Sequence, residues 1–192
     1  MVTGHFGLAA GVKAREWTVP LWALMVATVW LDIAAIPLFA TGVEEIEDAP
    51  RTDGGYGDVI IYADWTHSLV GAGVIALVTG WIATRWWGRR GGTVVGGVVF
   101  SHWILDLIVH RDDMPILAGN AGDLRVGFGL WKTHWGAIVA EAALLAVGSF
   151  LYWRAASEAE RRVGPRPRRA NVVTAVLLAG GAIVLATDVL IG

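Results

Sequence analysis

Residues 91–110 read GGTVVGGVVFSHWILDLIVH. A helix needs about 20 predominantly apolar residues to cross a bilayer, and this run meets that length. It nevertheless carries His102, Asp106 and His110 at four-residue spacing. On an α-helix that spacing drifts by only about 40° per step, so the three side chains are predicted to share one face. Ionisable groups inside an apolar span are costly and tend to mark functional sites. Imidazole and carboxylate together suit a divalent transition metal, zinc above all.

The rest of the chain repeats the pattern of apolar run and polar interruption. Four further segments have the length and apolarity of spans: 18–41, 65–87, 133–153 and 171–191. Mean hydropathy over the 192 residues is +0.56, and the 11 tryptophans gather near the ends of the runs, as in an aromatic belt. The expected fold class is all-α, a polytopic membrane helical bundle of five transmembrane helices. A short N-terminal half-helix over 1–16 precedes them. The whole of 1–192 reads as a single integral membrane domain. Residues 1–153 form its core, 154–170 a basic cytoplasmic linker and 171–192 a terminal transmembrane helix. Residues 42–64 and 111–132 read as polar, Gly-rich loops, with Glu44, Glu45, Glu47 and Asp48 as solvated acids.

Composition removes several classes. With no cysteine there is neither a disulfide framework nor a thiolate metal site, so any metal is held by nitrogen and oxygen. A formal net charge of -2 gives no reason to expect nucleic acid as a partner. The Gly-rich stretches lack a Walker lysine and do not follow a strand. Lys13 and Arg15 follow the first apolar segment instead of preceding it, unlike a cleavable signal peptide.

Arg85, Arg89, Arg90, the arginines of 154–169 and the Lys13/Arg15 pair are predicted to share the cytoplasmic side of the plasma (inner) membrane. The N-terminus is then cytoplasmic, and the 42–64 and 111–132 loops are extracytoplasmic. In this arrangement Asp32, His67, His102, Asp106, His110, His134 and Glu141 fall at similar depth in the outer half of four helices. His5 is the exception, placed near the cytoplasmic side unless its segment re-enters. Asp188 reads as interfacial.

The segments LDIAAIPLFATGVE, WTHSL, SHWILDLIVHRDDMP and VGFGLW, in this order over residues 1–153, resemble the YdjM-like family of membrane-bound metal-dependent hydrolases. The resemblance implies a ligand role for His67, His102 and Asp106, and extends it to His5 and Asp32. The order of polar residues is also similar to that of the zinc-dependent phospholipase C and P1 nuclease group. There the closing His…Glu pair is spaced at four, against seven for His134 and Glu141 here.

The resulting expectation is a hydrolase with one or two Zn²⁺ ions. The metal set is His5, Asp32, His67, His102, Asp106, His110 and His134. Bound metal brings the pKa of its water to about 7. Asp64, Asp113 and Glu141 are candidate general bases, and Arg111, Arg125 and Lys132 candidate phosphate-binding residues. Membrane lipids are the expected surroundings, and a lipid or lipid-linked phosphate ester the expected substrate. Three other classes remain open on sequence: a haem protein, a proton or ion translocator, and a non-enzymatic scaffold joined by buried His–Asp hydrogen bonds.

Overall fold

The structure is a computed structural model that describes residues 2–48, 59–164 and 168–191. Among them lie six helices and two short antiparallel strand pairs: α1 (Val2–Lys13), α2 (Leu21–Thr28), α3 (Trp30–Ala40), β1 (Glu45–Asp48), β2 (Val59–Tyr62), α4 (Leu69–Val109), β3 (Met114–Pro115), β4 (Arg125–Val126), α5 (His134–Arg161) and α6 (Arg168–Ile191). The all-α expectation holds, with two small hairpins added.

The 41 residues of α4 do not make one rod. Trp87 (φ -123°, ψ 15°) and Gly88 (φ 64°, ψ -179°) leave helical geometry, and the chain folds back there. Gly88 occupies a region open essentially only to glycine. The two arms, 69–86 and 89–109, then pack antiparallel through small residues. A Cβ on Gly80 would lie 2.8 Å from the Gly92 carbonyl oxygen and 3.1 Å from the Gly96 Cα. The predicted runs 65–87 and 91–110 thus form a hairpin, close-packed where glycine removes the side chains.

The predicted run 18–41 is broken rather than straight. Val29 (φ -112°, ψ 17°) separates α2 from α3, and the two helices meet at 46°. Helices α4, α5 and α6 are long and apolar enough to cross a membrane, and the bent α2–α3 pair adds a fourth if it is one span. Much of their outward surface is bare hydrocarbon: Leu77 is 76% exposed and Ile183 66%. A water-facing surface would bury such side chains, whereas a lipid-facing one leaves them outside.

Helix α1 is not a peripheral amphipathic segment. Its Thr3, Gly4, His5, Gly7, Ala9 and Ala10 are buried. Gly7 and Gly148 let α1 and α5 approach to backbone contact, and a Cβ on Gly148 would collide with the Gly7 carbonyl. The last turn ends where Lys13 Nζ donates to the Val19 carbonyl at 2.8 Å. Just beyond, Glu16 Oε2 accepts from Arg90 Nε at 2.8 Å, beside the α4 bend. Helix α1 therefore runs from the bundle interior out to the basic end.

The loops carry more order than their composition suggests. Glu45 to Asp48 pair with Val59 to Tyr62, Glu45 opposite Tyr62. Met114 pairs with Val126 and Pro115 with Arg125. Both hairpins lie at the end of the bundle opposite the α4 bend, next to the start of α4 and the end of its second arm.

Candidate metal centre

Four elements deliver one donor cluster. His5 comes from the first turns of α1, Asp32 from the first turn of α3, and His67 from the turn before α4. His102 and Asp106 come from the second arm of α4. His67 Nε2 lies 3.2 Å from His102 Nε2. Asp32 Oδ1 is 3.4 Å from His67 Nε2 and 3.5 Å from His102 Nε2. Asp106 Oδ2 is 2.9 Å from His102 Nε2 and 3.9 Å from His67 Nε2, while Asp106 Oδ1 turns to His5 Nε2 at 3.5 Å. Two overlapping trios result, His5–His102–Asp106 and Asp32–His67–His102, each with donor atoms within 4.8 Å of one another.

These separations fit an ion. Ligands held tetrahedrally at about 2.0 Å from a zinc-sized cation lie about 3.3 Å from one another. Four of the separations among His5, Asp32, His67, His102 and Asp106, those between 3.2 and 3.5 Å, match that edge.

The placement of hydrogens points the same way. His102 Nδ1 lies 2.6 Å from the Thr28 carbonyl oxygen, at the α2–α3 bend. A carbonyl only accepts, so Nδ1 carries the hydrogen and a neutral His102 presents a bare Nε2. The carboxylates of Asp32 and Asp106 are likewise acceptors. Lone pairs thus converge on one point, and either a cation or protons on the imidazoles must sit among them. His5, His67, His102 and Asp106 are buried; Asp32, with its side chain 47% exposed, is the donor that meets the outside.

His110 stands apart. The helix ends at Val109, and His110 (φ -59°, ψ 151°) has left the helical path, so the four-residue stripe stops at Asp106. The His110 ring packs on Trp131 at 4.2 Å, and its Nδ1 lies 3.0 Å from Asp113 Oδ1. His110 belongs to neither donor trio among the described residues. The backbone of His134 opens α5, and its side chain lies outside the described residues.

The candidate bases and cations are also spread out. Asp64 is engaged by Arg125 Nη2 at 3.0 Å, and Arg125 Nη1 donates to the Asp113 carbonyl at 2.8 Å. Arg125 is thus a strut between two loops, lying over the Tyr62 ring, and not an open phosphate clamp. Arg111 is half-buried at the end of α4. Lys132 is exposed and 3.8 Å from Asp112. Glu141 is fully buried in α5 beside Thr3 and Gly4 at the start of α1, and belongs to neither trio among the described residues.

Three residues serve the cluster without being legible as site residues in the sequence: Thr28, Thr66 and Glu44. Composition puts Glu44 among the solvated acids, yet it is 1% exposed. Its burial follows from pairing to the 65–67 turn, which only the fold brings near. Comparison with protein-family models, with curated proteins and with solved structures finds no match to this chain.

Proposed function

We propose that this chain is a membrane-embedded, metal-dependent hydrolase, using zinc or a similar divalent ion, of the YdjM-like kind its segments resemble. The observation that carries the reading is the convergence of His67 Nε2, His102 Nε2, Asp32 Oδ1 and Asp106 Oδ2, with His5 Nε2 beyond Asp106. His67, His102, Asp32, Asp106 and His5 would hold the metal. A divalent ion supplies Lewis acidity and a water acidified towards neutrality.

The protein's own groups divide the remaining work. Asp32 is the half-exposed donor and faces incoming substrate and water, where it can accept a proton. The buried donors exclude bulk water. Lys132, exposed beside the end of the bundle that carries the strand hairpins, offers a cation to a phosphate.

Five crossings follow if the α2–α3 pair, both arms of α4, α5 and α6 each span. Lys13, Arg90 and Arg169 lie at one end of that bundle and would face the cytoplasm. The donor cluster then sits towards the extracytoplasmic face, with the start of α1 buried at its depth. This favours a lipid or lipid-linked phosphate ester as substrate.

The test is elemental analysis of detergent-purified protein after dialysis without chelator. Stoichiometric divalent metal is expected in the wild type and not in His102→Ala. A second reading has one observation in its favour. The 2.9 Å contact of His102 with Asp106 also suits an imidazolium–carboxylate pair that joins α4 to its neighbours. Wild-type protein that folds normally and carries no metal supports that pair and removes the hydrolase.

A further inference from the structure

Glu44 is an acid with almost no contact with solvent, and it does not touch the donor cluster. Its Oε1 accepts the Trp65 amide at 3.1 Å and the Thr66 amide at 2.8 Å. Thr66 Oγ1 lies 2.9 Å from Glu44 Oε1 and 3.0 Å from Oε2. The same hydroxyl oxygen is 2.9 Å from His67 Nδ1.

With Glu44 ionised and the His67 ring neutral, only one arrangement of hydrogens satisfies all these contacts. A carboxylate has no proton to give, so the single Thr66 O–H is committed to Glu44. The Thr66 oxygen then has only lone pairs for His67, and Nδ1 must be the N–H. Nε2 is left as a lone pair, and Nε2 is the atom that faces Asp32 and His102. Without such a constraint the neighbouring carboxylates would favour the opposite tautomer, since Asp32 Oδ1 and Asp106 Oδ2 lie 3.4 and 3.9 Å from Nε2 and would stabilise a hydrogen there.

We propose that Glu44, acting through the Thr66 hydroxyl, is the positioning residue that fixes His67 as the Nδ1–H tautomer and so presents Nε2 as a ligand for a divalent cation. The purpose rests on the metal-centre reading; the tautomer does not need the ion. The Thr28 carbonyl serves His102 in the same way, and hydrogen bonds of this kind to the remote ring nitrogen are a recurrent support of metal-binding histidines.

The test uses the full chain, labelled with ¹⁵N-histidine, in detergent micelles at alkaline pH after metal removal. Loss of a resonance in His67→Gln assigns the His67 signals. In the wild type, His67 is expected to show a pyrrole-type Nδ1 and a pyridine-type Nε2. Thr66→Val should move the hydrogen to Nε2 and weaken Zn²⁺ binding, titrated against a competing chelator, by about 10- to 100-fold. Thr66→Ser should restore both. Glu44→Gln, whose amide can donate to Thr66 and release that hydroxyl, should give a mixture of tautomers. Thr66→Ala replaces valine if the latter does not fold.

A folded Thr66→Val or Thr66→Ala protein with the wild-type tautomer overturns the proposal, and an unmixed wild-type tautomer in Glu44→Gln removes Glu44 from it. Tautomers that move as expected, in proteins none of which binds Zn²⁺, keep the relay and sink the metal reading instead. A merely structural Glu44 would change stability and leave the tautomer of the folded protein alone.

Discussion

Asp106 faces two ways, with Oδ1 towards His5 and Oδ2 towards His102, the residue that the two donor trios share. Asp106→Asn keeps the shape and removes the charge. If the cluster holds a divalent ion as proposed, this variant is expected not to bind it, whereas Asp64→Asn, whose carboxylate is occupied by Arg125, should still do so. Metal stoichiometry of the two purified variants checks this contrast. Trp103, buried on the same arm, donates Nε1–H to the His67 carbonyl at 2.8 Å and holds the 65–68 turn in place. Trp103→Phe preserves most of the packing and leaves that carbonyl unpaired. A loss of about 1–2 kcal/mol is expected in denaturant unfolding, within the range for a buried hydrogen bond.

At the scale of the elements, contact between helices depends on glycine. Gly148 meets the Gly7 carbonyl with no room for a Cβ. Gly148→Val must push α1 off α5 and draw His5 away from Asp106. Overpacking of this kind costs about 1–3 kcal/mol, and the variant should show both a lower Tm in detergent and reduced metal occupancy. The other end of α1 is tied electrostatically. The Thr18 hydroxyl and amide, and after them Arg90, hold the Glu16 carboxyl below the usual carboxylate range, against a partial burial that opposes them. A depressed folded pKa stabilises above the unfolded value, about 4.3 for glutamate, and that stability is lost as pH falls through the lower folded value. Glu16→Gln should therefore be less stable than the wild type at neutral pH, with the difference closing under acid conditions, as read from paired unfolding curves across that range.

For the whole molecule, the testable quantity is orientation. The chain has no cysteine, so single introduced thiols report cleanly. Leu124, 59% exposed next to β4, and Val163, 92% exposed after α5, lie at opposite ends. In intact cells a membrane-impermeant maleimide should label Leu124→Cys, and should reach Val163→Cys only after permeabilisation. The reverse result would place the donor cluster at the cytoplasmic face and remove the outer-leaflet substrate. Exposed tryptophans mark both ends, Trp81 and Trp86 near the bend of α4, Trp65 and Trp135 near the starts of α4 and α5, as interfacial anchors would.

The sequence by itself determined the properties that are local along the chain. Hydropathy marked both arms of α4, α5 and α6, because desolvating a backbone in lipid demands long apolar helices and leaves a long apolar trace. Four-residue spacing put His102 and Asp106 on one helix face. What depends on breaks in helices and on packing between them had no such trace. Val29 and Gly88 bend the chain where composition suggests a straight run and a short connection, and the end of α4 at Val109 takes His110 off the stripe. Glycine-mediated contact carries α1, and with it His5, into the interior. Pairing across the 65–67 turn buries Glu44 among groups 21 and 22 residues away. Only the tertiary structure decided which of the candidate donors meet, because their convergence is set by contacts between helices and not by the order of residues within any one of them.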